Sequence, residues 1–142
     1  MDCIVESFKI KHRDFIHAGK ASIEIKNILK AMNTTPDIIR RVAVCSYEGE
    51  MNVVMHARDG RIDLTLSDDK IKIEISDKGP GIEDIDQAMQ KGFSTALDIF
   101  REMGFGAGMG LPNMKKNADH FELISFPGKG TTVMMEFTKG GP

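Results

Sequence analysis

Four groups of residues in this sequence have types and spacings suited to chemistry, and each alone also has an ordinary structural reading. Glu48 and Asn52 stand four residues apart in a helix-like run. That step puts both side chains on one helical face. A carboxylate beside a neutral amide oxygen can orient a nucleophile through Glu48 and hold a hard cation through Asn52. A solvated helix face would have the same residues. Asp77-Lys78-Gly79-Pro80-Gly81-Ile82 directly follows a strand-like run. A carboxylate there can accept hydrogen bonds from an exocyclic amine, while Gly79 and Gly81 let a flat ring approach the backbone. A plain Asp-Gly loop looks alike. Gly104-Phe105-Gly106-Ala107-Gly108-Met109-Gly110-Leu111 leads into a second helical pattern, where backbone amides at a helix amino end make an anion site. Neither a βαβ frame nor a Gly-Lys-Ser/Thr sequence accompanies it, so it is neither a dinucleotide fingerprint nor a P-loop. Gly128-Lys129-Gly130-Thr131-Thr132 completes the set, and a hairpin turn would explain it equally well.

The elements that must position these groups follow from periodicity. Residues 3–10 alternate loosely and suit an edge strand. Asp14 is placed to cap a helix reaching Met32, with Ala18, Ala21, Ile25, Ile28, Leu29 and Met32 on one face. Thr35-Pro36 restarts the chain as N-cap and first helical residue, with Asp37 at the positive end of a helix running to His56. Two strands follow, 61–66 and 70–76; in the second, Ile71, Ile73 and Ile75 alternate with polar residues. A short helix over 85–90 stops at Lys91-Gly92, where Gly92 suits the left-handed C′ position. The stretch 93–107 is poorly patterned and reads as a mobile lid. A helix emerges within 108–118, and strands over 121–125 and 131–138 form a hairpin. Separate runs of strands and helices argue for an α+β domain: a two-layer sandwich whose mixed, mostly antiparallel sheet carries helices on one face.

Composition narrows the function classes. With 142 residues, one domain spanning 1–142 is expected. Hydrophobic residues at 41% and charged residues at 28% are globular values. Nineteen basic against twenty-one acidic residues give a net charge of −2, so a basic nucleic-acid surface is not expected. Neither a membrane-spanning run nor a secretory leader is read, and a cytoplasmic location is expected. Cys3 and Cys45 are far apart and lack metal-ligand spacing. Cys45 reads as a small core residue, and the ten methionines as filler.

Taken in order, Glu48/Asn52, Asp77-x-Gly-x-Gly, the glycine-rich lid and Gly-x-Gly-Thr-Thr resemble the ordered motif boxes of the GHKL ATPase superfamily, which includes gyrase, Hsp90, MutL and histidine kinases. The resemblance covers roughly residues 35–137. Asp77 through Ile82, Gly92-Phe-Ser-Thr95 and Gly108-Met-Gly-Leu-Pro112 look most like the branch of anti-sigma factors and serine-protein kinases. The resemblance implies a Bergerat ATP-binding fold with ATP and Mg²⁺ as cofactors. It implies that Asp77 receives the adenine amino group, with Thr132 helping through water and Gly79, Gly81 and Ile82 shaping the ring site. Asn52 would hold Mg²⁺, and Glu48 would act as general base or orienting carboxylate. Gly106, Ala107, Gly108, Met109, Gly110 and Leu111 would cradle the phosphates. The stretch between Thr95 and Gly108 is longer than in the closest kinases, so lid residues such as Arg101 are not transferred. His56, on the same stripe as Glu48 and Asn52, reads as structural. The activity implied is phosphorylation of Ser or Thr on a small regulatory partner, an antagonist or scaffold protein, in partner-switching control of transcription. The alternative is an ATP-gated anti-sigma module that sequesters a sigma factor. The amino-terminal strand and helix could supply a homodimer interface.

Overall fold

A computed structural model describes residues 4–56, 58–82, 84–90 and 110–139, without the side chain of His56. The elements are β1 (Ile4–Ile10), α1 (Lys20–Ala31), α2 (Pro36–His56), β2 (Gly60–Leu66), β3 (Lys70–Asp77), α3 (Ile85–Ala88), α4 (Gly110–Asn117), β4 (His120–Phe126) and β5 (Gly130–Thr138). The five strands form one sheet in the order β1-β2-β3-β5-β4. All four pairings among the described residues are antiparallel, where a mixed sheet was expected.

Alternation decides which face is covered. Ile62, Leu64 and Leu66 on β2, Ile71, Ile73 and Ile75 on β3, and Val133, Met135 and Phe137 on β5 are buried in one core. Their register partners align, Ile73 opposite both Leu64 and Met135, so the three strands present one apolar surface. Against it lie Ala21, Ile25 and Leu29 of α1, Ile38, Ile39, Val42, Cys45, Val53 and Val54 of α2, and Met114 of α4. At Gly49 a Cβ would fall on the Ile75 side chain, so helix α2 lies close on β3 only because that residue is glycine. Cys45 is fully buried, as expected of a core residue. Burial pushes its thiol up to about 12.

One boundary differs from the periodicity reading, for a physical reason. Helix α1 begins at Lys20, not near Asp14, and its N-cap is Gly19 in the left-handed region at φ 94°. Asp14 instead accepts from the backbone and ring nitrogens of His17. The capping acceptor comes from α2. The Glu50 carboxyl group, 3% exposed, accepts from Gly19 N–H at 2.9 Å, Ser22 N–H at 3.0 Å and Ser22 Oγ–H at 2.6 Å. A carboxyl group at the positive end of a helix meets both the unpaired amides and the dipole. Glu50→Ala would leave those donors unpaired in the core. A loss of about 2–4 kcal/mol is expected, read as a lower urea midpoint at unchanged slope. A midpoint within error of the wild type would show that the contact contributes nothing.

The remaining boundaries shift by one or two residues. Helix α3 covers only Ile85–Ala88 and is capped by Asp84, whose side chain accepts from Gln87 N–H. The expected stop at Gly92, the lid over 93–107 and Cys3 lie outside the described residues.

Candidate functional site

Arg41, Cys45, Glu48 and Asn52 follow one another at steps of four, three and four on α2, which makes them a single stripe along one face. Helix α4 packs on that stripe. Arg41 Nη1 donates to the Asn117 carbonyl at the carboxyl end of α4 (2.9 Å), and Cys45 Sγ lies 3.8 Å from the Met114 carbonyl oxygen. The Asn113 side chain reaches Glu48. At the amino end of α4, a Cβ on Gly110 would stand 3.2 Å from Glu48 Oε2 and 3.4 Å from Asn52 Oδ1. Glu48, Asn52 and Gly110 therefore converge at one place. Leu111 beside them packs against the core. Gly106, Ala107, Gly108 and Met109 lie outside the described residues.

Asp77 ends β3 on the helix-covered face. A Cβ on Gly60 would meet Val53 Cγ1 at 2.9 Å and Asp77 Cβ at 3.2 Å, so this strand end abuts α2 one residue beyond Asn52. Asp77 Oδ1 accepts from Gly79 N–H at 2.8 Å, which turns the loop back over the carboxylate. The loop then runs against the β4–β5 hairpin. Gly81, at φ 78°, has no room for a Cβ because one would strike the Phe126 carbonyl. Gly130, at φ 99°, is equally restricted by the Asp77 carbonyl. Gly128 N–H donates to the Pro80 carbonyl at 2.6 Å. Ile82 N–H is held by Ser125 Oγ at 2.8 Å.

The strand register corrects one expected residue. Asp77 pairs with Thr131, whereas Thr132 pairs with Ser76. Because side chains alternate across a sheet, Thr131 shares the face of Asp77, Val133 and Phe137, and Thr132 belongs to the opposite face. Thr131 thus takes the place at the carboxylate that the sequence reading assigned to Thr132. Adjacent threonines lie on opposite faces, and register decides which of them shares the face of Asp77. Asn113 and Ser125 were also missed, since neither stands in a motif that singles it out.

Burial raises the pKa of Glu48 above the usual carboxylate range, and the Asn113 side chain opposes the shift. Burial likewise raises that of Asp77, against the backbone amides of Gly79 and Thr131. Carboxylates raised by burial occur at functional sites and at structural positions alike, so geometry must carry the assignment. Among the described residues no three His, Cys, Asp or Glu side chains gather as metal ligands. The Asn52 amide oxygen is a hard donor suited to a magnesium ion that keeps most of its water and phosphate ligands.

Residues 46–140 match the model of the histidine kinase-, DNA gyrase B- and HSP90-like ATPase family. The chain belongs to this family. That stretch contains both halves of the site, Glu48/Asn52 and Asp77 with the hairpin. The chain is 37% identical over 109 residues to an anti-sigma F factor of Caldanaerobacter subterraneus subsp. tengcongensis, covering 73% of each chain. It is 32% identical over 112 residues to the serine/threonine-protein kinase RsbT of Bacillus subtilis, covering 76% of this chain and 78% of that one. Among solved structures, the mycobacterial sensor histidine kinase MprB superposes with a TM-score of 0.56 at 13% identity, covering 98% of this chain and 100% of that chain. That likeness concerns the fold: an antiparallel sheet with helices on one face, as the resemblance implied. No helix among the described residues is long and apolar enough to cross a membrane.

Proposed function

We propose that this ATPase-family domain is a Mg·ATP-dependent serine/threonine-protein kinase that phosphorylates a small antagonist protein in partner-switching control of transcription. The observation that carries the reading is the convergence of Glu48, Asn52 and the amino end of α4 on one spot, in a chain similar to RsbT. Asp77, with Thr131 beside it, would accept the exocyclic amine of adenine. Asn52 would hold Mg²⁺, which when bound neutralises phosphate charge. Gly110 is the nearest described residue of the phosphate cradle. The acceptor hydroxyl attacks the γ-phosphorus, the bond from that phosphorus to the β–γ bridging oxygen breaks, and ADP leaves. Glu48 takes the hydroxyl proton, a role for which a raised pKa is suited.

A second reading has its own support, because several relatives carry the name anti-sigma F factor. In that reading the domain binds ATP and sequesters a sigma factor, with transfer slow or absent. One experiment separates the two. Purified protein is incubated with labelled ATP, Mg²⁺ and candidate antagonist proteins from the same organism, and the label is mapped by mass spectrometry. Phosphoserine or phosphothreonine on one candidate is the expected result. Label on a histidine, or hydrolysis with no protein acceptor, would overturn the kinase reading. A stable, unmodified complex with a sigma factor would establish the second reading.

A further inference from the structure

We propose that Ser125 is a positioning residue of the nucleotide site, its hydroxyl locking the loop after Asp77 onto the β4–β5 hairpin. The inference rests on the nucleotide reading of the Asp77 site and adds a residue to it.

Ser125 is partly buried on β4, on the same face as Phe121 and Leu123. Its Oγ stands within hydrogen-bond distance of three groups on two separate segments. Ile82 N–H lies at 2.8 Å, Thr131 Oγ1 at 2.8 Å and the Gly130 carbonyl oxygen at 3.2 Å. A hydroxyl has one proton and two lone pairs. One arrangement uses all three partners: Ser125 donates to the Gly130 carbonyl and accepts from both Ile82 N–H and Thr131 Oγ–H. The hydroxyl of Thr131 is thereby oriented by Ser125. Thr131 is also the residue paired with Asp77.

The hub joins the loop after Asp77 to the hairpin through a side chain. Among the described residues, the loop after Asp77 is also tied at Gly79 N–H, which donates to Asp77, and at the Pro80 carbonyl, which accepts from Gly128 N–H. Both lie on the amino side of Gly81. Ser125 holds the far end. A Cβ at Gly81 would strike the Phe126 carbonyl and one at Gly130 the Asp77 carbonyl, so loop and hairpin approach closely. Removing the hydroxyl would free Ile82 N–H and let the loop leave the hairpin. The groups that touch a bound ring would then lose their spacing, although Ser125 itself need touch no ligand.

The test compares Ser125→Ala, Ser125→Thr and Leu123→Ala with the wild type. Leu123→Ala lies on the same strand face and packs against the core, so it reports what mere destabilisation of β4 does. ATP affinity is measured by calorimetry, and the Ile82 amide by hydrogen exchange in the nucleotide-free protein. Ser125→Ala is expected to weaken ATP binding about tenfold and to speed Ile82 exchange by a similar factor, with Ser125→Thr restoring both. Leu123→Ala should lower the melting temperature at least as much, yet leave ATP affinity within about twofold. Unchanged affinity and exchange in Ser125→Ala would overturn the proposal. So would an equal loss of affinity in Leu123→Ala, or a Ser125→Thr variant as weak as Ser125→Ala. Wild-type protein that fails to bind ATP would instead defeat the nucleotide reading, and Ile82 exchange would still decide whether Ser125 locks the loop.

Discussion

Replacing Glu48 with Gln is expected to lower the rate of phosphoryl transfer by about 10²–10⁴-fold while leaving ATP affinity within a few-fold of the wild type. The amide keeps the shape that α4 packs against, so the contacts at Gly110 and Asn113 survive. What would disappear is the proton acceptor proposed for the transfer. The pH profile supplies a second readout with a definite sign. Burial holds the pKa of Glu48 above the ordinary carboxylate range, so the acidic limb of the wild-type rate should lie above the usual titration range of a free glutamate. The limb should vanish in Glu48→Gln. Stability should move the other way from activity. A carboxyl group that holds its proton more tightly when folded stabilises the fold below its unfolded pKa, and that contribution is lost as pH rises through the folded value. Glu48→Gln should therefore resist urea slightly better than the wild type at pH 7, with the advantage gone by about pH 4. Transfer at the wild-type rate in Glu48→Gln would remove Glu48 from the chemistry.

The second large effect concerns base recognition. Asp77→Ala should raise the dissociation constant for ATP tenfold or more, because the buried amine of adenine would lose its acceptor at a cost of about 1–3 kcal/mol. Discrimination belongs to the same argument. Guanine presents a carbonyl where adenine presents its amine, and two oxygens facing each other repel. Wild-type protein should thus prefer ATP to GTP, and Asp77→Ala should lose most of that preference. The fold should survive, since Asp77 is at a strand end and the β3 core residues Ile71, Ile73 and Ile75 are untouched. Calorimetry with both nucleotides decides the matter. Equal affinities for ATP and GTP in the wild type would dismiss the adenine assignment.

Much of the arrangement was legible in the order of residues. The alternation of Ile71, Ile73 and Ile75 marks β3 and its buried face, Thr35-Pro36 marks the start of α2, and the four-residue step from Glu48 to Asn52 puts both on one stripe. These signals are local: each depends on the period of one element, and the structure has them as read. The ordered motifs also identified the ATPase superfamily, to which residues 46–140 belong.

Three things were decided only in three dimensions. The start of α1 depends on Glu50, which is 28 to 31 residues away in sequence from the amides it accepts. Asp14 looked like the cap because local spacing cannot reveal a distant acceptor. The choice of Thr131 over Thr132 depends on strand register, and a shift of one residue exchanges the two faces of a strand. Ser125 acquires a role only when β4 brings its hydroxyl to Ile82, 43 residues earlier. Periodicity along the chain determined the elements and the side chains they could offer. Which of those side chains meet was determined by pairing between segments distant in sequence, because hydrogen-bond geometry and alternation across a sheet are properties of the packed chain.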